Sequence, residues 1–447
     1  MPFDKIALQV PTILLPKTGL DLSKWAVIAC DQYTSQPEYW DKVEELTAGE
    51  PTTLNLIFPE VHLEEPDGDA RIRAINAAME SYLDEGVLES QTPGFILVDR
   101  ATEHAPSRKG LMVALDLEQY DYRPGADTLI RATEGTILDR LPPRIRVREK
   151  APIELPHIMV LIDDPEQTVI EPLCRRQLPV AYDFPLMLGG GHLRGWRVDD
   201  PAAIQQVVDA LDRLAEPGRF AARYQVDDQP VVLYAMGDGN HSFATAKAIW
   251  EKLKETAADR EAIMDHPARF ALVELVNIHD PGLEFEAIHR VLFDIEFDQL
   301  IQQAEAFYRK AGAAFSCELC GDLDSLPEKS RRLKQEGRHL IPFIAGEQCG
   351  LFVIDNPPLH LVVATLQAFL DHFLADHPKA RIDYIHGEGT VTALGKRPSN
   401  LGFYLPAISK HDLFKTIILD GALPRKTFSM GEADEKRFYM ECRKISL

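Results

Sequence analysis

"QPVVLYAMGDGNHSFATAKAIWEKLKE", residues 229–255, passes from an apolar run to an amphipathic one through Gly237, Asp238, Gly239, Asn240 and His241. Val231 to Met236 read as a strand, since a short unbroken apolar run that stops at turn residues suits a strand covered on both faces. Phe243, Ala246, Trp250 and Leu253 then recur at three- and four-residue steps, the spacing of one helix face. A strand that feeds a helix through a glycine turn is the building unit of a sheet with helical cover.

The alternation continues on both sides of this junction. WAVIAC (25–30), the run after Gly94, GLMVALDLEQYDY from Gly110 and HIMVLIDDPEQT from His157 read as strands. Residues 69–86 read as a helix, with Ile72, Ile75, Met79 and Leu83 in helical spacing. "RATEGTILDRLPPRIRVREKAPIELP" reads as a polar, proline-broken connection, with Arg144, Arg146 and Arg148 alternating as on one face of a strand. RFALVELVNIHD is a further strand. A helix around 300–311, a hairpin in LIPFIAGEQCGLFVI and a helix around 366–374 follow. The fold class expected is α/β to α+β. A mixed sheet core with helices occupies residues 1–297, and a smaller mixed α+β part occupies 298–447.

Composition narrows the function classes. The 447 residues allow two or three domains, and the 45% hydrophobic and 26% charged fractions are those of a globular chain. With 70 acidic against 48 basic residues the net charge is −22, which opposes non-specific attraction to nucleic acid or an anionic membrane surface. No run reaches the roughly 18 apolar residues of a membrane span, and no signal peptide pattern opens the chain, so a cytoplasmic location is expected. The six scattered cysteines fit a reducing compartment. Cys317 and Cys320 form a Cys-x-x-Cys with no second pair at zinc spacing, and read as two unpaired thiols.

The junction itself has a chemical reading. Gly237 and Gly239 allow positive φ, Asn240 and Ser242 suit a helix N-cap, and free N–H groups at a helix start attract anions. Asp238 suits a divalent cation bridging phosphate oxygens, and His241 suits donation to a phosphate or proton transfer. The same residues also suit a plain capped turn. Neither the Walker A order nor the Gly-x-Gly-x-x-Gly fingerprint is present.

Four segments together resemble a known family, the bacterial "domain of unknown function 1015" proteins, which look related to the ParB, sulfiredoxin and free-serine-kinase superfamily. GDGNHSFATAK is similar to the family's Asp-Gly-His-His-Arg helix start at Asp238, Gly239 and His241, departing from it at Asn240 and at Ser242, where arginine is usual. IRATEGT is similar to an Arg-Pro-His-Glu-x-Thr segment at Arg131, Glu134 and Thr136. HDPGLEFEAIHRVL matches at Asp280, Pro281, Gly282, Leu283, His289 and Arg290, and DGALPRKTFSM at Pro424, Lys426 and Thr427.

The resemblance implies a ParB/sulfiredoxin-like nucleotide-binding core. Its implied function is a nucleotide-dependent phosphotransferase acting on a small hydroxyl-bearing metabolite such as serine. Glu134, Asp238 and His241 would be catalytic, with Glu134 and Asp238 also holding magnesium. Arg131, Thr136, Gly239, Asn240, Ser242, His289, Arg290 and Lys426 would bind ATP or ADP. The alternative is a non-catalytic nucleotide-binding regulatory protein of ParB-like type, which the missing arginine at 242 favours. Nucleotide and metabolite are the expected partners, with a homodimer open and no membrane or nucleic-acid partner expected.

Other clusters read as ordinary structure first. The glycines of LGGGHLRGWRV (188–198) suit a surface loop, with a lid or anion nest around His192 and Arg194 as the functional reading. Asp163 and Asp164, and the group His377, Asp383, His386 and Glu388, read as turn and helix-end residues before metal ligands.

Overall fold

A computed structural model describes residues 2–447 except 35, 64, 124, 137–140 and 425. The chain forms two compact units, Met1–Glu284 together with Gly431–Leu447, and Phe285–Met430.

The first unit is built on a mixed sheet. Its main strands are β1 (Phe95–Ala101), β2 (Arg108–Asp116), β3 (Tyr120–Asp121), β4 (Ile130–Arg131), β5 (Met159–Ile162), β6 (Val180–Pro185), β7 (His192–Val198), β8 (Tyr234–Asp238) and β9 (Phe270–Asn277). In space they run β6-β7-β1-β2-β9-β5-β8-β4-β3. The pairs β5–β9, β4–β8 and β3–β4 are parallel and the others along this order antiparallel.

Successive side chains of a strand point to opposite faces, and both faces of this sheet are covered. Leu111, Val113 and Leu115 of β2 pack with Val207 and Leu211 of α4 (Pro201–Leu214) and with Phe243 and Trp250 of α5 (Asn240–Thr256). Met112, between them in sequence, joins Trp40 and Val43 of α1 (Pro37–Thr47), Ile75 and Met79 of α2 (Gly68–Asp84), and Phe438 to Met440. Burial on both faces is why the strands read as unbroken apolar runs. The architecture is α+β, with helices over a mixed sheet.

Three local expectations are corrected. WAVIAC is not a sheet strand: Asp21 caps a helical turn, Leu22–Trp25, and Ala26–Ala29 continue as buried extended chain held by residues 437–439. RIRVREK lies in a helix, α3 (Leu141–Arg148), whose first turn contains Pro142 and Pro143, where proline costs no hydrogen bond. Helical spacing turns Arg144 and Arg148 to one side, toward Glu60 and Glu154, and Arg146 to solvent. In LGGGHLRGWRV only the start is a turn, and His192 onward is strand β7, with His192 and Arg194 both bonded to Asp183.

The second unit has its own antiparallel sheet. Its strands are β10 (Phe285–Phe293), β11 (Ala314–Cys320), β12 (Arg338–Ala345), β13 (Gln348–Asp355), β14 (Arg381–His386) and β15 (Leu401–Phe403), in the order β11-β13-β12-β15-β10-β14. Helices α6 (Phe297–Lys310) and α7 (Val362–Asp376) belong to it, their aromatic rings Tyr308 and Phe369 packing together. Because β10 pairs only within this sheet, the division between units falls ahead of residue 297. The expected hairpin is β12–β13. The Cys-x-x-Cys is not a pair, since residues three apart on β11 face opposite sides, and Cys320 stands opposite Cys349 of β13 instead.

Residues 431–447 return to the first unit and thread its core. Tyr439 N donates to Val27 O, Ala29 N to Arg437 O, and Trp25 Nε1 to Met440 O. Arg437, 5% exposed, lies between the carboxylates of Glu274 and Glu441, and donates from Nε to Pro156 O at 3.1 Å. Burial alone would raise the Glu274 pKa, but the Arg437 and Arg108 charges outweigh it and hold this carboxyl below its usual value.

Two outcomes follow. Arg437→Met strands two buried carboxylates, and urea denaturation should show a loss of about 3–5 kcal/mol. Mild oxidation of the folded chain with diamide should join Cys320 to Cys349, a mass loss of two hydrogens in the linked peptides, and leave Cys317 alkylatable.

Candidate functional site

The quoted junction is a strand end meeting a helix start. Gly239 sits at φ +77° as the N-cap of α5, and an added Cβ there would come within 3.0 Å of Ile158 Cα. Only glycine meets both demands without strain. No side chain caps the helix, so its first N–H groups face the turn.

Around this turn the sheet register gathers polar groups. β8 runs antiparallel to β5, and the pair Met159–Asp238 puts the start of β5 beside the end of β8. His157, just ahead of β5, thereby reaches α5: its Nε2 is 3.1 Å from Ser242 Oγ and 3.9 Å from Asp31 Oδ2. Its Nδ1 lies 2.8 Å from the Tyr439 hydroxyl, and the Cys30 N–H donates to that hydroxyl oxygen at 3.2 Å.

Asp238 accepts from Gly239 N at 2.8 Å and pairs with Lys436 Nζ at 3.1 Å. Burial pushes its pKa up, and the Lys436 and His157 charges with the Gly239 N–H outweigh that push, so the carboxyl lies below its usual range. Asn240 opens α5, and its side-chain Oδ1 is buried with no hydrogen-bond partner among the described residues. A buried acceptor left unmatched is costly and rare in native proteins.

A cavity of about 140 Å³ adjoins the junction. Leu56, Phe58, Met79 and Ile153 give it apolar walls, and His157 and Ser242 stand at its polar side. Glu60 and Arg144 pair on the same lining; burial raises the Glu60 pKa against the opposing pull of Arg144. Burial also pushes the Cys30 thiol up to about 12, so it is protonated at neutral pH.

The other expected residues are placed as follows. Arg131 ends β4, the parallel neighbour of β8, opposite Ala235; it donates from Nε to Thr128 O at 2.9 Å, and burial lowers its pKa. Glu134 and Thr136 lie half-buried in the segment after β4, which leaves the sheet at the same edge as Asp238, and the Thr136 hydroxyl faces that of Tyr120. His241 is half-buried in the first turn of α5, where its carbonyl accepts from Thr245 Oγ1.

His289, Arg290 and Lys426 belong to the second unit. Leu405 N donates to His289 Nδ1 at 3.0 Å. Arg290 is fully buried on β10, with Nε donating to Gln367 Oε1 and its guanidinium over Tyr384. Lys426 is exposed, at φ +55°.

His157, Asp31, Lys436 and Tyr439 carry the site's geometry without having been singled out from the sequence. The available signal was the register: a histidine directly before an apolar strand, next to the strand that ends at Asp238.

The expected magnesium was tested against these donors. Both oxygens of Asp238 are taken by chain donors, and no group of three or more His, Cys, Asp or Glu side chains is placed to hold a metal among the described residues. The residues do not fit a resident magnesium, and Lys436 already supplies the neutralising charge. Asp163 and Asp164 are likewise engaged, the first by Arg223, Tyr224 and His279 and the second by backbone N–H groups of Thr168 and Val169.

A family model described as "Protein of unknown function (DUF1015)" matches residues 14–373. The chain belongs to that family. No curated protein matches this DUF1015 chain. Among solved structures, a mutant free serine kinase in complex with AMP is similar at 12% identity and TM-score 0.40, covering 78% of this chain and 95% of its own. The same mutant with ADP gives 11% and 0.39, covering 75% and 92%. A conserved hypothetical protein from Pyrococcus furiosus gives 13% and 0.35, covering 75% and 95%. At these scores none of them transfers a residue or an activity to the DUF1015 chain. Among its described residues no helix is long and apolar enough to cross a membrane.

The Asp238–Lys436 pair sets a pH test. With its folded pKa lowered, Asp238 contributes stability that is fully present above the unfolded value near 3.8 and is lost as pH falls through the folded value. Lys436→Met should remove most of that acid-side slope in thermal melts recorded between neutral and acid pH.

Proposed function

We propose that this protein is a nucleotide-dependent phosphotransferase acting on a small hydroxyl-bearing metabolite, with serine-like amino acids in that class. The observation that carries the reading is the orphaned Asn240 Oδ1, buried at an uncapped helix start beside Lys436 and Asp238. The N–H groups of a helix start and an ammonium suit phosphate oxygens, and an unmatched acceptor suits the hydroxyl or amine of a second ligand. An anion site and a donor-seeking acceptor thus share one turn.

In this reading the N–H groups of α5 at Asn240, His241 and Ser242, with Lys436 and Arg131, hold the phosphates and meet the charge that develops on transfer. Gly239 lets the backbone approach, and Thr136 lines the same edge. His157 and Asp31 beside it are the proton acceptors of the site, and Glu134 and His241 are further proton carriers. Magnesium chemistry enters only as the nucleotide's own counter-ion, and no step runs through a protein-held metal. Kinship with the ParB and sulfiredoxin superfamily is part of the same proposal.

One observation favours a second reading, nucleotide binding without turnover. Ser242 stands where the family resemblance expects arginine, which removes one cation from the phosphate end.

Thermal melts with ATP, ADP, AMP, CTP and GTP, each with and without magnesium, test both readings. A ligand at 100 times its Kd stabilises by about 2.7 kcal/mol, a rise on the order of a few degrees. One nucleotide should give that rise, and Lys436→Met, which removes the ammonium at the phosphate end, should weaken it. Absence of any shift rejects both readings. Consumption of the stabilising nucleotide in the presence of serine and other hydroxyl metabolites then selects the phosphotransferase, and binding without consumption selects the regulatory protein.

A further inference from the structure

Ser242 opens a hydrogen-bonded chain that leads inward. Its Oγ meets His157 Nε2 at 3.1 Å, and His157 Nδ1 meets the Tyr439 hydroxyl at 2.8 Å. The two rings stand edge to face, 5.7 Å apart at 86°. His157 is 9% and Tyr439 2% exposed, so the imidazole has little freedom to turn. A hydroxyl, an imidazole within hydrogen-bond reach and a third group that orients the imidazole are together the arrangement of an activated nucleophile.

Two further features belong to the same arrangement. Asp31 Oδ2, 3.9 Å from Nε2, faces the side of the ring that would become charged. Ser242 also lines the cavity, next to His157. An arginine at this position has no hydroxyl to offer.

We propose that Ser242 is a covalent nucleophile that accepts a phosphoryl group on Oγ. The identity of the donor, a nucleoside di- or triphosphate, rests on the phosphotransferase reading above; the nucleophile rests on the Ser242–His157–Tyr439 geometry. As the Oγ–P bond forms, the bond from phosphorus to the bridging oxygen of the nucleotide breaks, and its electron pair leaves with the shortened nucleotide. The hydroxyl proton passes to His157 Nε2, while the Nδ1–H donates to the Tyr439 oxygen and Asp31 faces the imidazolium.

The phosphoserine lies in the first turn of α5, where the helix dipole favours added negative charge. On return, the acceptor's hydroxyl oxygen attacks phosphorus and the P–Oγ bond breaks. His157 gives its proton back to Oγ, and the acceptor's proton passes to Asp31. Cys30, which also lines the cavity, stays protonated and takes no part.

A fluorophosphonate probe tests the nucleophile with no nucleotide present, because its phosphorus takes the serine oxygen as fluoride leaves. The full chain is treated, digested and mapped by mass spectrometry, and a parallel sample receives ATP or ADP labelled in its terminal phosphate. Wild-type protein should carry both modifications on Ser242. Ser242→Ala should carry neither while its melting temperature is kept, and His157→Gln should label at least about 100-fold more slowly.

A folded wild-type chain with no modification of Ser242 by either reagent overturns the proposal, even where nucleotides raise the melting temperature. Fluorophosphonate labelling of Ser242 without nucleotide-derived phosphoserine supports the nucleophile and counts against the nucleotide as its donor. If His157→Gln does not fold, wild type against Ser242→Ala still decides.

Discussion

Arg437, closed between Glu274 and Glu441, is the interaction on which the first unit depends. Three charged groups out of water are stable there because each guanidinium edge meets a carboxylate or a carbonyl. Such a cluster is a poor source of net stability compared with packed hydrocarbon, and it is highly specific about position. A shift of residues 431–447 by one position would bury unmatched charge. That penalty fixes where the neighbouring residues stand, and Lys436 and Tyr439 are those neighbours. The polar core thus determines the geometry of the junction.

Much of the sheet was legible because its strands are apolar throughout. β8, β5, β9 and α5 follow directly from runs and helical spacing, and with them the position of Asp238 at a strand end. What pattern could not supply is pairing between distant segments. His157 and Ser242 are neighbours only because β5 lies antiparallel to β8, and Tyr439 reaches them from a segment with no helix or strand signature. α3 is hidden in the sequence because Pro142 and Pro143 look like breakers, whereas proline in a first helical turn is at home. His289 and Arg290 appear as a motif in sequence and as side chains held by the second unit's own groups in the fold.

Ser242 stands where the family resemblance expects arginine. Arginine would bring a fixed positive fork to this turn; serine brings a hydroxyl and a hydrogen bond to a buried imidazole. Lys436, delivered from elsewhere in the chain, brings a cation to the same turn.

The return of residues 431–447 also has a consequence in time. A ribosome makes β8 and α5 before it makes Lys436 and Tyr439, with the whole of Phe285–Met430 translated between. During that interval the first unit holds its strands without the arginine that neutralises Glu274, and the junction lacks its ammonium and its phenol. A chain stopped before residue 436 therefore has the glycine turn without the ammonium and the phenol that meet it in the finished fold.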